Sequence, residues 1–112
     1  RLSWEKLKEE TGVGTDAIDR RVVDYGLQSY FTSHHPWLIN EPFTPEPVET
    51  YSKDDIDEYV GIIRQIAHEA RTEPDVVLNA PARSTITPID PAPLMDIERF
   101  ACTWRAFKKK SR

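Results

Sequence analysis

The 112-residue chain has a single cysteine, Cys102, and only four glycines. One cysteine cannot close a disulfide within the chain, which favours a reducing compartment. Neither a Walker-type phosphate loop nor a dinucleotide-binding Gly-x-Gly-x-x-Gly turn occurs, and four glycines hardly permit one. No apolar run approaches the roughly 20 residues that span a bilayer, and no leader pattern opens the sequence. The expectation is a soluble, cytoplasmic protein without membrane contact. Positive charge is also in deficit, with 15 Lys and Arg against 19 Asp and Glu and a net charge of −4. That balance argues against a whole-domain nucleic-acid binder. The chain starts at Arg1 and is amphipathic almost at once, as a piece of something longer would be.

What the chain does have is 38% hydrophobic residues and eleven aromatics, enough for one modest core but not two. Nine prolines make the connections stiff rather than floppy. Ser3 to Thr11 reads as a short polar helix, capped by Ser3 and stopped by Gly12. Thr15 caps a second helix, in which Ile18, Val22 and Tyr25 share a face, Asp16 and Asp19 sit at the positive end, and Gly26 ends the run.

The aromatic, proline-punctuated stretch from Leu27 to Thr44 has room for short strands at Gln28–Phe31 and Trp37–Ile39, confined to edges by Pro36 and Pro42. Left open, its apolar side chains would form an interface-like patch. Pro45 and Pro47 make Glu46–Thr50 extended, as an edge strand. Ser52 with Asp55 is a capping box for the next helix, whose apolar stripe is Ile56, Tyr59, Val60, Ile63, Ala67 and Ala70. Pro74 bounds that helix near Arg71, and a further helical turn covers Asp75–Leu78.

Beyond Ala80 the prolines at 81, 88, 91 and 93 leave Thr85-Ile86-Thr87 as the strand-like element. Ile97–Phe107 is compatible with helix or strand, and Lys108–Arg112 reads as a frayed basic tail. The fold class is α+β, a few short strands packed against helices, in a single domain 1–112 whose residues 82–112 form a Pro-rich segment and basic tail.

No constellation of residues spells a reaction. His34 and His35 are adjacent, so on an extended chain they face opposite ways and do not share an ion, with or without His68; no metal site is expected. Asp54, Asp55, Asp57 and Glu58 stand in the first turns of a helix, where carboxylates offset the dipole. Cys102 has no histidine following it and reads as a small hydrophobe. Trp104–Arg112 mixes aromatics and cations as a nucleic-acid patch does, but it is short, terminal and set in an acidic chain. Another reading is a stand-alone interaction module that uses the Tyr30–Phe43 aromatic loop.

Four strings add what periodicity lacks: K6-L-K-E-E-T-G12, T15-D-A-I-D-R-R-V-V-D-Y-G26, E46-P-V-E-T50 and S52-K-D-D-I-D-E-Y59, followed by N79-A80-P81. In that order and spacing the chain resembles the C-terminal part of glycine dehydrogenase (decarboxylating), the P-protein of the glycine cleavage system. It is similar in particular to the second subunit of the two-subunit bacterial form. The resemblance covers residues 5–81 and fades beyond Arg83. It implies the small C-terminal domain of a fold-type I pyridoxal-phosphate enzyme, with Glu46–Thr50 as a strand and the Ser52-capped helix packed across the sheet. It also implies a Schiff-base lysine in a larger domain, in a His-Lys motif that none of Lys6, Lys8, Lys53, Lys108, Lys109 or Lys110 provides. Pyridoxal phosphate is therefore expected in the full-length protein and not on this piece, which on its own should not catalyse.

The partners so implied are the rest of the P-protein, its other subunit and the lipoyl H-protein; no nucleic acid is among them. Gln28 and Thr32 fall nearest the cleft by motif position, while Arg21, Asp24, Glu46 and Glu49 match the motif as structural residues. Three positions depart from the family: Gln28 where it has histidine, Val48 where it has threonine, and Ala82 where it has histidine. These put the substrate itself in question.

Overall fold

Helix ends follow the proline, glycine and serine punctuation of the chain. The computed structural model describes residues 1–28, 32–34, 37–85, 90, 92–95 and 103–110, without the side chains of residues 94, 95, 106, 107 and 110. In order these form β1 (Leu2–Ser3), α1 (Glu5–Thr11), α2 (Thr15–Asp24), β2 (Pro42–Phe43), α3 (Lys53–Thr72), α4 (Pro74–Leu78), α5 (Ala92–Met95) and α6 (Trp104–Lys110). Helices with one small two-stranded sheet are compatible with the α+β class.

The strands lie elsewhere than the pattern suggested. Leu2 pairs with Phe43 and Ser3 with Pro42, antiparallel, and the rings of Trp4 and Phe43 pack at 5.4 Å between centroids. Trp37–Ile39 is no strand but an exposed irregular stretch. Residues 46–50 are not a strand either; they are exposed, and Glu49 and Thr50 lie in a turn closed by the Tyr51 N–H donating to the Val48 carbonyl at 3.1 Å. Pro45 and Pro47 remove the amide donors a ladder needs, so extension there goes without pairing. Gln28 is irregular. The rest of the Gln28–Phe31 expectation lies outside the described residues, as do Ile86-Thr87, His35, Cys102 and residues 97–102.

Pairing in β1 also moves the start of α1. The Trp4 N–H donates to the Glu41 carbonyl at 2.8 Å, which holds residues 2–4 out of the helix. Ser3 is therefore not the N-cap. Its hydroxyl accepts from the Glu5 N–H at 3.0 Å and donates to the Asn40 carbonyl at 2.7 Å. Thr15 is likewise the first residue of α2 rather than its cap. The capping acceptor is Glu41 Oε2, 2.6 Å from the Thr15 N–H. Glu41 sits at φ 44°, a left-handed conformation that a non-glycine residue rarely adopts, and from it serves both the strand and the helix. Gly12 at φ 79° and Gly26 at φ 82° turn the chain out of α1 and α2, where an L side chain would be strained.

The capping box on α3 forms as read. Ser52 Oγ accepts from the Asp55 N–H at 3.1 Å, and Asp55 Oδ2 accepts from the Ser52 N–H at 2.8 Å. Ser52→Ala should cost about 1 kcal/mol, measured as a lowered urea midpoint. An unmoved midpoint would mean that packing alone holds this helix end.

Helix α3 is 20 residues long, about 30 Å, and packs on α1, α2 and α4. The core it helps close comprises Leu7, Val13, Ala17, Ile18, Val22, Ile66, Ala70 and Val77. The residue of α3 at its centre is Ile66, fully buried, whereas Ile56 and Val60 of the expected stripe are 40% and 39% exposed. The first turn of the helix reaches past the body of the fold, so the stripe is buried at one end and open at the other. Lys108–Lys110, expected as a frayed tail, belong to α6. No helix among the described residues is long and apolar enough to cross a membrane.

Candidate functional site

Two features rise from this frame: a buried charge network and a small pocket. In the network Arg21 and Asp24 stand one turn apart on α2, and Glu69 faces them from α3. Arg21 donates from Nε to Glu69 Oε2 at 2.9 Å, from Nη2 to Glu69 Oε1 at 3.2 Å and from Nη1 to Asp24 Oδ2 at 3.0 Å. The Tyr25 hydroxyl donates to Glu69 Oε1, and the guanidinium lies 5.2 Å from the centroid of the Tyr25 ring.

Asp24, its side chain 1% exposed, also accepts the N–H groups of Ala82 at 2.9 Å and Arg83 at 2.7 Å. Arg20 Nε donates to the Ala80 carbonyl at 3.0 Å, just before the cis peptide to Pro81. The network thus ties α2, α3 and the 80–83 loop at one point. Its bidentate Arg–carboxylate geometry is the strong form of such pairing.

Burial pushes the Asp24 carboxyl up, but the amides of Ala82 and Arg83 and the Arg21 guanidinium outweigh it and hold it below the ordinary value. Burial also raises Glu69, and hydrogen bonds from Arg21, Tyr25 and Gln65 bring it below its ordinary 4.5. The Tyr25 phenol is pushed up, by burial first and by its bond to Glu69 second. The Arg21 guanidinium is held firmly charged, chiefly by Glu69.

A carboxylate whose folded pKa is depressed contributes stability above its unfolded pKa and loses it as pH falls through the folded value. The stability advantage of the native chain over Glu69→Gln should therefore be constant above pH 4.5, the ordinary glutamate value, and shrink below it. Urea titrations at a series of pH values measure that gap, and a gap unchanged in acid contradicts the assignment.

Sequence reasoning found Arg21 and Asp24 but missed Glu69 and the Tyr25 hydroxyl. A signal was present. Glu69 stands close to the C-terminal end of α3, where the helix dipole disfavours a carboxylate, and an acid there calls for a dedicated cation.

The pocket, about 50 Å³ in volume, lies between α2, α3 and β2. Gln28 and Thr32 both line it, together with Trp4, Thr15, Asp19 and Tyr59. The structure thus brings the two motif-derived positions together. Trp4 Nε1 and Thr15 Oγ1 are buried with no hydrogen-bond partner among the described residues. Burial and the charge of Asp19 raise the Tyr59 phenol. A space this size takes a few waters and falls well short of the roughly 300 Å³ at which ligand sites begin.

Other sequence-derived positions lie apart from the pocket. Glu46, Val48, Glu49, His34 and His68 are exposed, and Ala82 is held by Asp24 through its backbone. No group of three His, Cys, Asp or Glu among the described residues is placed to hold a metal. Nor do these residues fit pyridoxal phosphate. The pocket wall carries no lysine or arginine, and the described lysine side chains at 6, 8, 53, 108 and 109 are all exposed.

No family model matches the chain, and no solved structure matches it. Curated relatives do. Proteins named "Probable glycine dehydrogenase (decarboxylating) subunit 2" are 33% identical in Pyrococcus horikoshii and 34% in Pyrococcus abyssi, each over 108 residues, 96% of this chain and 21% of the relative. The namesake from Thermosipho melanesiensis is 41% identical over 88 residues, 79% of this chain and 18% of the relative. The chain spans about a fifth of the length of these proteins. By sequence, then, this chain is related along nearly its whole length to glycine dehydrogenase (decarboxylating) subunit 2, the resemblance its motif strings already carry.

Proposed function

We propose that the chain is the small C-terminal domain of a pyridoxal-phosphate-dependent glycine dehydrogenase (decarboxylating)-like protein of the glycine cleavage system. The observation that carries this reading is the match over 96% of the chain to proteins of that name. The domain helps form the active-site cleft and contributes subunit contacts, and by itself it catalyses nothing. The cofactor and its lysine belong to the rest of the polypeptide. The partners are that remainder, the other subunit and a lipoyl carrier protein.

Gln28 and Thr32 act in this reading by position. A carboxamide and a hydroxyl do not titrate in the working range, so they hydrogen-bond a small polar substrate rather than move its protons. Gly26 turns the chain out of α2 two residues ahead of Gln28, and the Arg21–Asp24–Glu69 network fixes that end of the helix. The rigid mount supports a positioning role.

The test is release of labelled carbon dioxide from carboxyl-labelled glycine by the full-length protein with its other subunit and a lipoyl carrier. Release that requires all three supports the reading, and its absence overturns it. In the same assay Gln28→Ala should lower kcat/KM roughly 3- to 10-fold, the worth of one neutral hydrogen bond. An unchanged kcat/KM removes Gln28 from the cleft.

A further inference from the structure

The apolar stripe of α3 does not end where the domain does. Ile56, Tyr59, Val60 and Ile63 share one face at helical spacing. Ile63 packs against the core and Tyr59 is half-buried, but Ile56 and Val60 remain 40% and 39% exposed. The same face borders the small pocket, since Tyr59 and Ile63 both line it. The apolar face of α3 thus runs on past the part of the helix that the domain covers.

We infer that the exposed apolar face of the N-terminal half of α3 is the surface on which the remainder of the longer polypeptide docks. The inference rests on the proposal that the chain is one domain of a larger enzyme. Roughly four fifths of the length of the matched relatives lies outside this chain, so the occupant with the most polypeptide to supply is that remainder. Its chemistry follows from what it meets: an apolar segment covers Ile56 and Val60. The opposite side of the same helix half carries Asp54 and Glu58, both exposed, and stays in water.

Thiol labelling of the natural full-length protein tests this. Val60→Cys and Ile56→Cys are compared with Glu58→Cys on the far side of α3, each corrected for the parent protein. Alkylation at positions 56 and 60 is expected to be slowed roughly tenfold or more relative to position 58, as a docked segment must open first, and to be independent of protein concentration. Equal rates at all three positions overturn the inference. Protection that disappears on dilution overturns it too, by assigning the face to a second copy of the protein. Glycine decarboxylation by the same preparations separates the two claims. An active protein with an open face sinks the docking surface alone, and a protected face on an inactive protein sinks the enzyme reading alone.

Discussion

Asp24→Ala is expected to destabilise the fold by about 3–5 kcal/mol, the usual cost of removing one partner from a buried charge pair. The carboxylate is almost wholly buried and accepts from the Arg21 guanidinium and from two backbone amides, those of Ala82 and Arg83. Without it the two amides lose their acceptor and Arg21 keeps only Glu69, so the 80–83 loop loses its tie to α2. Asp24→Asn should fall between the native chain and alanine, since the carboxamide oxygen still accepts from an amide while the charge is gone. Equilibrium unfolding in urea measures both. A change for alanine within about 0.5 kcal/mol, the scale of exposed substitutions, would show that the network is ornamental.

Ile66→Ala should cost about 2–5 kcal/mol, through lost transfer energy and the cavity left behind. Ile66 is fully exposed to its neighbours and not at all to water, at 0% accessibility, among Leu7, Val13, Ile18 and Val77. Ile56→Ala, two turns or more nearer the N-terminus of the same helix, should cost the domain well under half as much, because Ile56 is 40% exposed. The contrast is the point of the experiment. Equal costs for the two substitutions would mean that the N-terminal half of α3 is packed as firmly as the rest. In the full-length protein the docking surface inferred above predicts that the gap between them narrows.

The same pair shows how much of the fold was legible in the sequence. Residue types that act locally were readable: Gly12 and Gly26 end helices, Pro74 bounds α3, and Ser52 with Asp55 builds a capping box. Positions that depend on distant partners were not. The acceptor for the start of α2 comes from Glu41, 26 residues further on, and no local pattern points to it. Pro42 looked like a limit on strand pairing, yet it is half of β2, because an edge strand two residues long tolerates a missing donor.

The stripe on α3 was right in period and incomplete in content. Periodicity reports a face of the helix, not the stretch along its axis that finds a neighbour, so Ile56 and Val60 were counted with the core and Ile66 was not. Of the charge network, Arg21 and Asp24 were legible from the motif strings; Gln28 and Thr32, taken from motif position, line one pocket. The dedicated partner of Arg21 lay on another helix, 48 residues away, beyond the reach of spacing arguments.

The most direct test of the account is the visible absorption spectrum of the full-length protein, taken with and without glycine, beside that of residues 1–112 produced alone. The account predicts a bound-cofactor band in the full-length protein that shifts when glycine is added, and no such band with residues 1–112. A band that glycine leaves unmoved would contradict the assigned substrate. Cofactor captured by residues 1–112 alone would contradict the division of labour proposed for this domain.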